Sequence, residues 1–570
     1  MPDARDFSRY AARLLSSGKI SPDLLDASTQ HPWTRSSLVQ RLDQIFHSLP
    51  QTDPEQVLKT ALRRLRSEVL VSVMARDLEE RATLGEVTTS MTLLAEVAIA
   101  SGVAWLYQDL CGLHGTPLGE TSGLPQELLV VGMGKLGGGE LNVSSDIDLV
   151  FVYEEDGETE ASGSATRLSN HDFFWRMGRR LGALLSEPTE DGFVFRVDLR
   201  LRPNGSAGPL AVSLAMLEEY FVVQGRDWER YAWIKARVVS DATRPGVARG
   251  AAALAERVSP FVYRRHLDYS AIGALRSLHQ QIREETEREA LRHAHWRGSN
   301  IKLGRGGIRE IEFVAQVFQL IRGGQESALR VIPTLEVLAV LGQRGFLDQD
   351  SATLLSRHYI FLRRLEHRLQ YLDDAQTHSL PLDAADLARV AAALGFPDIA
   401  AFQQALEGCT RDVARLFDQI FPAQQPQTPD SVGNRLWRDA GLEISDPLPN
   451  APESPLLQQL AALRRTPGYR AQSARTREQF DRALSEGLTL MLASDNDRPD
   501  SPVVTRFLHF MEAISRRASY LMLLVDYPVV LKRLLPLLAA SEWAAGYLSQ
   551  RPQLLDELLT ESDEQEVDFA

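Results

Sequence analysis

The sequence predicts a predominantly helical α+β protein, with helical segments at both ends of one short mixed α/β block. Three observations predict it. From Pro54 to Met74, Val57, Leu58, Leu62, Leu65 and Val69 recur at three- and four-residue spacing, the stripe of an amphipathic helix. After Pro125 the period changes, and Leu128–Val131, Ile147–Tyr153 and Phe193–Arg202 read as strands. Beyond about residue 245 the periodicity is helical again, with no convincing strand.

Taken in order, a second helical stripe runs from Glu86 to Asp109. The polar, Gly/Ser-containing stretch from Glu154 to Thr166 is a surface loop, and Asn170 can cap a helix reaching about Leu185. Leu267–His293, Gly307–Arg322 and Leu354–Leu372 follow as helices. Residues 422–456 carry seven prolines and read as a linker, and the chain ends in an acidic tail beginning at Glu561. The expected organisation is an N-terminal helical region (1–125), a catalytic block (126–245), a helical companion (246–425), a Pro-rich linker (426–455) and a C-terminal helical domain (456–570).

The 570 residues carry 62 Lys+Arg against 76 Asp+Glu, a net charge of −14, which argues against nucleic acid or an anionic membrane as main partner. Two cysteines, Cys111 and Cys409, build neither a disulfide framework nor a zinc site, so a cytoplasmic location is expected. No apolar run is expected to span a membrane, and the N-terminus lacks the apolar core of a signal peptide. Only six basic residues are lysines, and two of them, Lys135 and Lys302, lie in glycine-rich segments.

The chemistry is concentrated between Val131 and Leu149, in VGMGKLGGGELNVSSDIDL. Gly132, Gly134 and Gly137 match G-x-G-x-x-G after a strand. Only eight residues separate Gly137 from Asp146, however, and a βαβ crossover needs at least about ten, so a dinucleotide fold is excluded. A P-loop is excluded too, because Leu136 follows Lys135 where Ser or Thr is required. Asp146 and Asp148, two apart on a strand, face the same way, and like charges that close suit a Mg²⁺ ion between them. Arg196, Asp198, Arg200 and Arg202 share one face of the third strand, so Asp198 supplies a third carboxylate. Three carboxylates holding two Mg²⁺ ions, with arginines nearby, suit nucleotidyl or phosphoryl transfer.

This pattern resembles the polymerase-β-like nucleotidyltransferase superfamily, which implies a mixed sheet flanked by helical bundle domains. More narrowly, GMGKLGGGELNVSSDIDLVFVY resembles the glutamine synthetase adenylyltransferase/adenylyl-removing family. So do VDLRLRPNGS at 197–206, WERYAWIKAR at 228–237, NIKLGRGGIREIEF at 300–313, FLRRLEHRLQ at 361–370 and RPQLLDELL at 551–559. The resemblance implies Asp146, Asp148 and Asp198 as catalytic Mg²⁺ ligands and Gly137, Gly138 and Ser145 as the phosphate loop. Lys135, Arg200 and Arg202 are further candidates for phosphate contacts. It also implies phosphorolysis of an AMP–tyrosine bond on glutamine synthetase to give ADP, under control of PII signal proteins. The single D-x-D block, worded like the family's N-terminal domain, points to the adenylyl-removing half, with the adenylylating half absent. Two alternatives stay open: an adenylyltransferase using ATP on glutamine synthetase or another protein, and a non-catalytic module binding PII or glutamine synthetase.

Segment Gly304–Glu312 reads either as a helix start with Ile308, Ile311 and Val314 in the core, or as a nucleotide or domain-closure contact. The pair Arg363/Glu366 is expected as a surface ion pair, and His367 as a packed or solvated histidine.

Overall fold

A computed structural model describes residues 4–50, 53–160, 167–264, 300–421, 431–445, 455–492, 502–526, 528–552 and 554–555. They form two compact units, residues 4–264 with 300–421, and residues 431–555. The helix expected over Leu267–His293 and the acidic tail lie outside the described residues.

The first unit is built on two long helices, Pro54–Leu78 and Leu84–His114, each capped by the side chain of the preceding residue, Asp53 or Thr83. The second corrects one expectation: it is long and apolar enough to cross a membrane, but 72% of its apolar window is buried inside the protein, as in a core helix. A five-stranded sheet follows: β1 (Leu129–Gly132), β2 (Ile147–Tyr153), β3 (Val197–Asp198), β4 (Ala211–Ser213) and β5 (Arg237–Val238). β1 pairs antiparallel with both β2 and β5, which agrees with the exclusion of a βαβ crossover. β3 and β4 both pair parallel with β2, at its start and its end. The mixed sheet is therefore centred on β2, whose residues are all buried except half-buried Asp148.

The Asn170–Ser186 helix makes the crossover from β2 to β3. Its cap is Ser169, whose hydroxyl accepts from Asp172 N, and not Asn170, which is buried and donates to the carbonyls of Leu118 and Glu155. Phe174 on this helix stacks on Tyr153, their ring centroids 4.9 Å apart.

The third strand is shorter than expected. It ends at Asp198, and the chain turns through Asn204 and Gly205, both at φ near +60°. Arg202 stabilises the turn by donating to the carbonyls of Leu199, Ser206 and Gly208. Period-two alternation therefore stops at Asp198, and Arg202 does not share a strand face with it. β4 and β5, three and two residues long, were not expected at all. The helices Ile308–Arg322 and Gln349–Tyr371 lie where periodicity predicts them, the latter starting five residues early at the Asp348 cap.

The second unit is helical. The stretch expected as a Pro-rich linker contains a helix, Val432–Ser445, because its prolines flank that segment and none falls within it. Trp437 on this helix is buried between Tyr469 and Phe480, with the Arg464 guanidinium 4.0 Å from its ring centroid.

Candidate active site

The turn from β1 to β2 fixes the first part of the site. Met133 N donates to Asp148 O at 2.9 Å, so the chain doubles back on the strand that carries the acids. Gly134 takes φ +54°, and a Cβ there would stand 3.2 Å from Asp148 Oδ2, so the turn backbone lies directly against that carboxylate. Gly137 serves packing: a Cβ would meet the Lys235 carbonyl at 1.7 Å and the Gly132 carbonyl at 2.4 Å. The N–H groups of Gly137 and Gly138 are bonded inside the turn, to Met133 O and Gly134 O. Neither is free to cradle phosphate in the way the resemblance implies. Ser145 stands half-buried immediately before Asp146.

Two of the three acids stand side by side. Asp148 and Asp198 are register partners on parallel β2 and β3. Burial, then the charges of Asp198 and Asp146, push the Asp148 carboxyl up to about 6, against the opposing pull of Lys302 and Arg200. Asp198 is held below the usual carboxylate range, chiefly by hydrogen bonds from Arg200, whose Nη2 lies 2.6 Å from its Oδ2. Asp146 accepts a hydrogen bond from Gln376 Nε2. Among the described residues no three acidic, His or Cys side chains already converge as a metal cage. The donor set nonetheless fits a divalent cation, because a carboxylate crowded by two others, as Asp148 is by Asp198 and Asp146, is stabilised by one. Asp148 and Asp198 would hold it, with Asp146 as third donor.

The lysine and arginine candidates divide. Arg200 is exposed and paired with Asp198 at the site. Arg202 is committed to the turn carbonyls described above. Lys135 is tied to buried Glu366, with Nζ 3.1 and 3.2 Å from its two carboxylate oxygens; burial lowers the ammonium to about 8 while Glu366 opposes the fall.

Glu366 belongs to the part of the site that sequence reasoning missed. One face of the Gln349–Tyr371 helix clamps the loop leading to the aspartates. Arg363 donates to Glu140 O at 2.7 Å and Asn142 Oδ1 at 2.6 Å, and Gln370 Oε1 accepts from Ser144 N at 3.0 Å. Lys235 donates to Glu140 Oε2 at 2.6 Å. Arg363 and Glu366 are 1% and 0% exposed, so the expected surface ion pair is a buried one. Their signal is visible in hindsight: Arg363, Glu366, His367 and Gln370 sit at i, i+3, i+4 and i+7, the spacing of a core-facing stripe. Beyond this helix, His378 Nδ1 lies 2.9 Å from Glu366 Oε1, and Ile301 N donates to His378 O, which brings Lys302 to the site. Ile308, Ile311 and Val314 are core residues, as one reading of Gly304–Glu312 expects.

The chain is similar to known proteins along nearly its whole length. A family model described as glutamate-ammonia ligase adenylyltransferase matches residues 6–252, and one described as GlnD PII-uridylyltransferase matches residues 276–421. A bifunctional glutamine synthetase adenylyltransferase/adenylyl-removing enzyme from Ralstonia nicotianae is 48% identical over 98% of this chain and 60% of its own length. Proteins of the same name from Burkholderia mallei and Chromobacterium violaceum are 46% and 45% identical, over 63% and 60% of their lengths and 100% and 97% of this chain. The chain thus spans about three-fifths of the curated relatives it matches. Residues 6–252 carry the glutamate-ammonia ligase adenylyltransferase family domain, and the chain resembles these nucleotidyltransferases over nearly its whole length.

Proposed function

We propose that this chain removes AMP from a tyrosine of glutamine synthetase by phosphorolysis, releasing ADP. The carrying observation is the in-register pair Asp148/Asp198 beside the Gly134 turn, with Asp146 close enough to act on Asp148. In the reaction a phosphate oxygen bonds to the AMP phosphorus, the bond from that phosphorus to the tyrosine oxygen breaks, and the phenolate takes up a proton. Mg²⁺, as two ions, would supply Lewis-acid stabilisation of the attacking and leaving oxygens. The chain's own part is to hold Asp148 and Asp198 on adjacent strands, with Asp146 immediately before the first of them, and to orient Asp146 through Gln376 and Asp198 through Arg200. The match of residues 276–421 to a PII-uridylyltransferase model supports a PII signal protein as regulatory partner, in the cytoplasm.

Adenylylated glutamine synthetase, phosphate and Mg²⁺ are incubated with the chain, and ADP is measured. Asp146→Asn and Asp148→Asn are expected to lower the rate at least about a hundredfold, the loss of a few kcal/mol of transition-state stabilisation. Unchanged ADP release in both variants overturns the assignment of the acids. Labelling of unmodified glutamine synthetase by ATP, without ADP release in the first assay, reverses the direction.

A further inference from the structure

Four cations around the aspartates are already committed: Lys135 to Glu366, Lys235 to Glu140, Arg200 to Asp198, and Arg363 to Glu366 and the Glu140 carbonyl. Lys302 is different. Among the described residues its ammonium has no hydrogen bond and no carboxylate at ion-pair distance. It is nevertheless near enough to act electrostatically on both Asp148 and Lys135.

The backbone that carries it is held firmly. Asn300 Oδ1 accepts from the N–H groups of Lys302 and Leu303 at 3.0 and 2.8 Å, and Gly304 N donates to Asn300 O at 2.9 Å. Asn300 forms a β-bridge with Ser379, and Ile301 N donates to His378 O. Two residues before His378, Gln376 donates to Asp146. The turn is therefore fastened to the same short segment that touches a catalytic acid. A lysine presented in this way, half-buried, unpaired and within electrostatic reach of Asp148, is a cation awaiting an anion.

We propose that Lys302 is a phosphate-binding residue of the active site, contacting the phosphate that attacks, which becomes the terminal phosphate of the released ADP. The assignment rests on the reading of the site given above and adds a residue to it from outside the sheet. It also moves the role expected of Lys135, which Glu366 occupies, to a lysine more than 160 positions further on.

Lys302→Met keeps the alkyl stem and removes the charge, while Lys302→Arg keeps a charge at the same place. In the ADP-release assay Lys302→Met is expected to raise the phosphate KM about ten- to hundredfold, the size of one lost charge-assisted hydrogen bond, with Lys302→Arg recovering much of it. The melting temperature stays that of the unsubstituted chain, because no folded-state partner is lost. Calorimetric titration of the full chain with ADP and Mg²⁺ gives a second reading, in which Lys302→Met weakens binding by a similar factor. Unchanged phosphate KM with unchanged ADP affinity overturns the proposal, as does a fall in melting temperature that accounts for the whole loss. If the unsubstituted chain releases no ADP, the deadenylylation reading fails, and the ADP titration alone decides the role of Lys302.

Discussion

His367 has no exposed surface and lies between Arg363 and Arg368 on its own helix, with Nε2 3.3 Å from Asn142 Oδ1. Burial, and then the Arg363 charge, push its imidazole down to about 3, even though Asp77 and Glu366 pull the other way. The folded protein therefore keeps this ring neutral, with Nε2–H donating to Asn142, while the unfolded chain protonates it below about 6.5. A depressed histidine gives stability that is complete above the unfolded value and is lost as pH falls toward the folded one. The loss approaches about 1.4 kcal/mol per pH unit below 6.5. His367→Gln, which cannot titrate, is expected to flatten the pH dependence of the melting temperature between pH 6.5 and 4.5 relative to the unsubstituted chain. Parallel slopes for the two proteins in that window would show that His367 does not set it.

At the scale of elements, the Gln349–Tyr371 helix carries a polar stripe into the protein where an apolar one is usual. Glu366 on that stripe binds Lys135, His378 and Arg363; burial opposes its charge, but these partners hold the carboxylate well below its ordinary range. Removing one member of such a buried cluster leaves the others uncompensated. Glu366→Gln is therefore expected to destabilise the first unit by about 3 kcal/mol in denaturant unfolding. Combining it with Lys135→Met should cost less than the two separate losses summed, since the pair shares one interaction. Strict additivity would mean that Lys135 and Glu366 do not stabilise one another. The same helix shows what the sequence could tell. Its existence was legible from periodicity, but the reading treats charge as exposure, so Arg363 and Glu366 went to the surface. β1 and β2 were legible because β1 is a continuous apolar run ending at glycine and β2 is one from Leu149 onward. The third strand was overdrawn because Arg200 and Arg202 continue the alternation into a turn, and nothing in two residues announces β5. The aspartates were found because their spacing is local. Gln376 was missed because its contact spans 230 positions, and Lys302 was noticed only as a retained lysine in a glycine-rich segment.

Over the whole molecule, the boundary expected near residue 245 separates groups that depend on each other. Glu140 accepts from Thr334 N, Asn142 from Arg363, Ser144 N donates to Gln370, Lys135 pairs with Glu366 and Asp146 accepts from Gln376. Cutting at residue 245 strips all five of these partners from a loop whose polar groups are mostly buried, and unpartnered buried polar groups cost about 1–3 kcal/mol each. Against the 5–15 kcal/mol that a folded domain typically has in hand, such losses are decisive. Every residue assigned here to the site lies between Gly134 and His378, inside the first unit, whose last residue is Phe421. A fragment of residues 1–421 is accordingly expected to unfold cooperatively and to release ADP within about twofold of the full chain's rate. A fragment of residues 1–245 is expected to show neither a cooperative transition nor activity, although it holds all three aspartates. Circular dichroism melts and the ADP assay on the two fragments check this directly. An active 1–245 fragment would mean that the clamp from the Gln349–Tyr371 helix does not assemble the site, and an inactive but folded 1–421 fragment would place an essential group beyond the first unit.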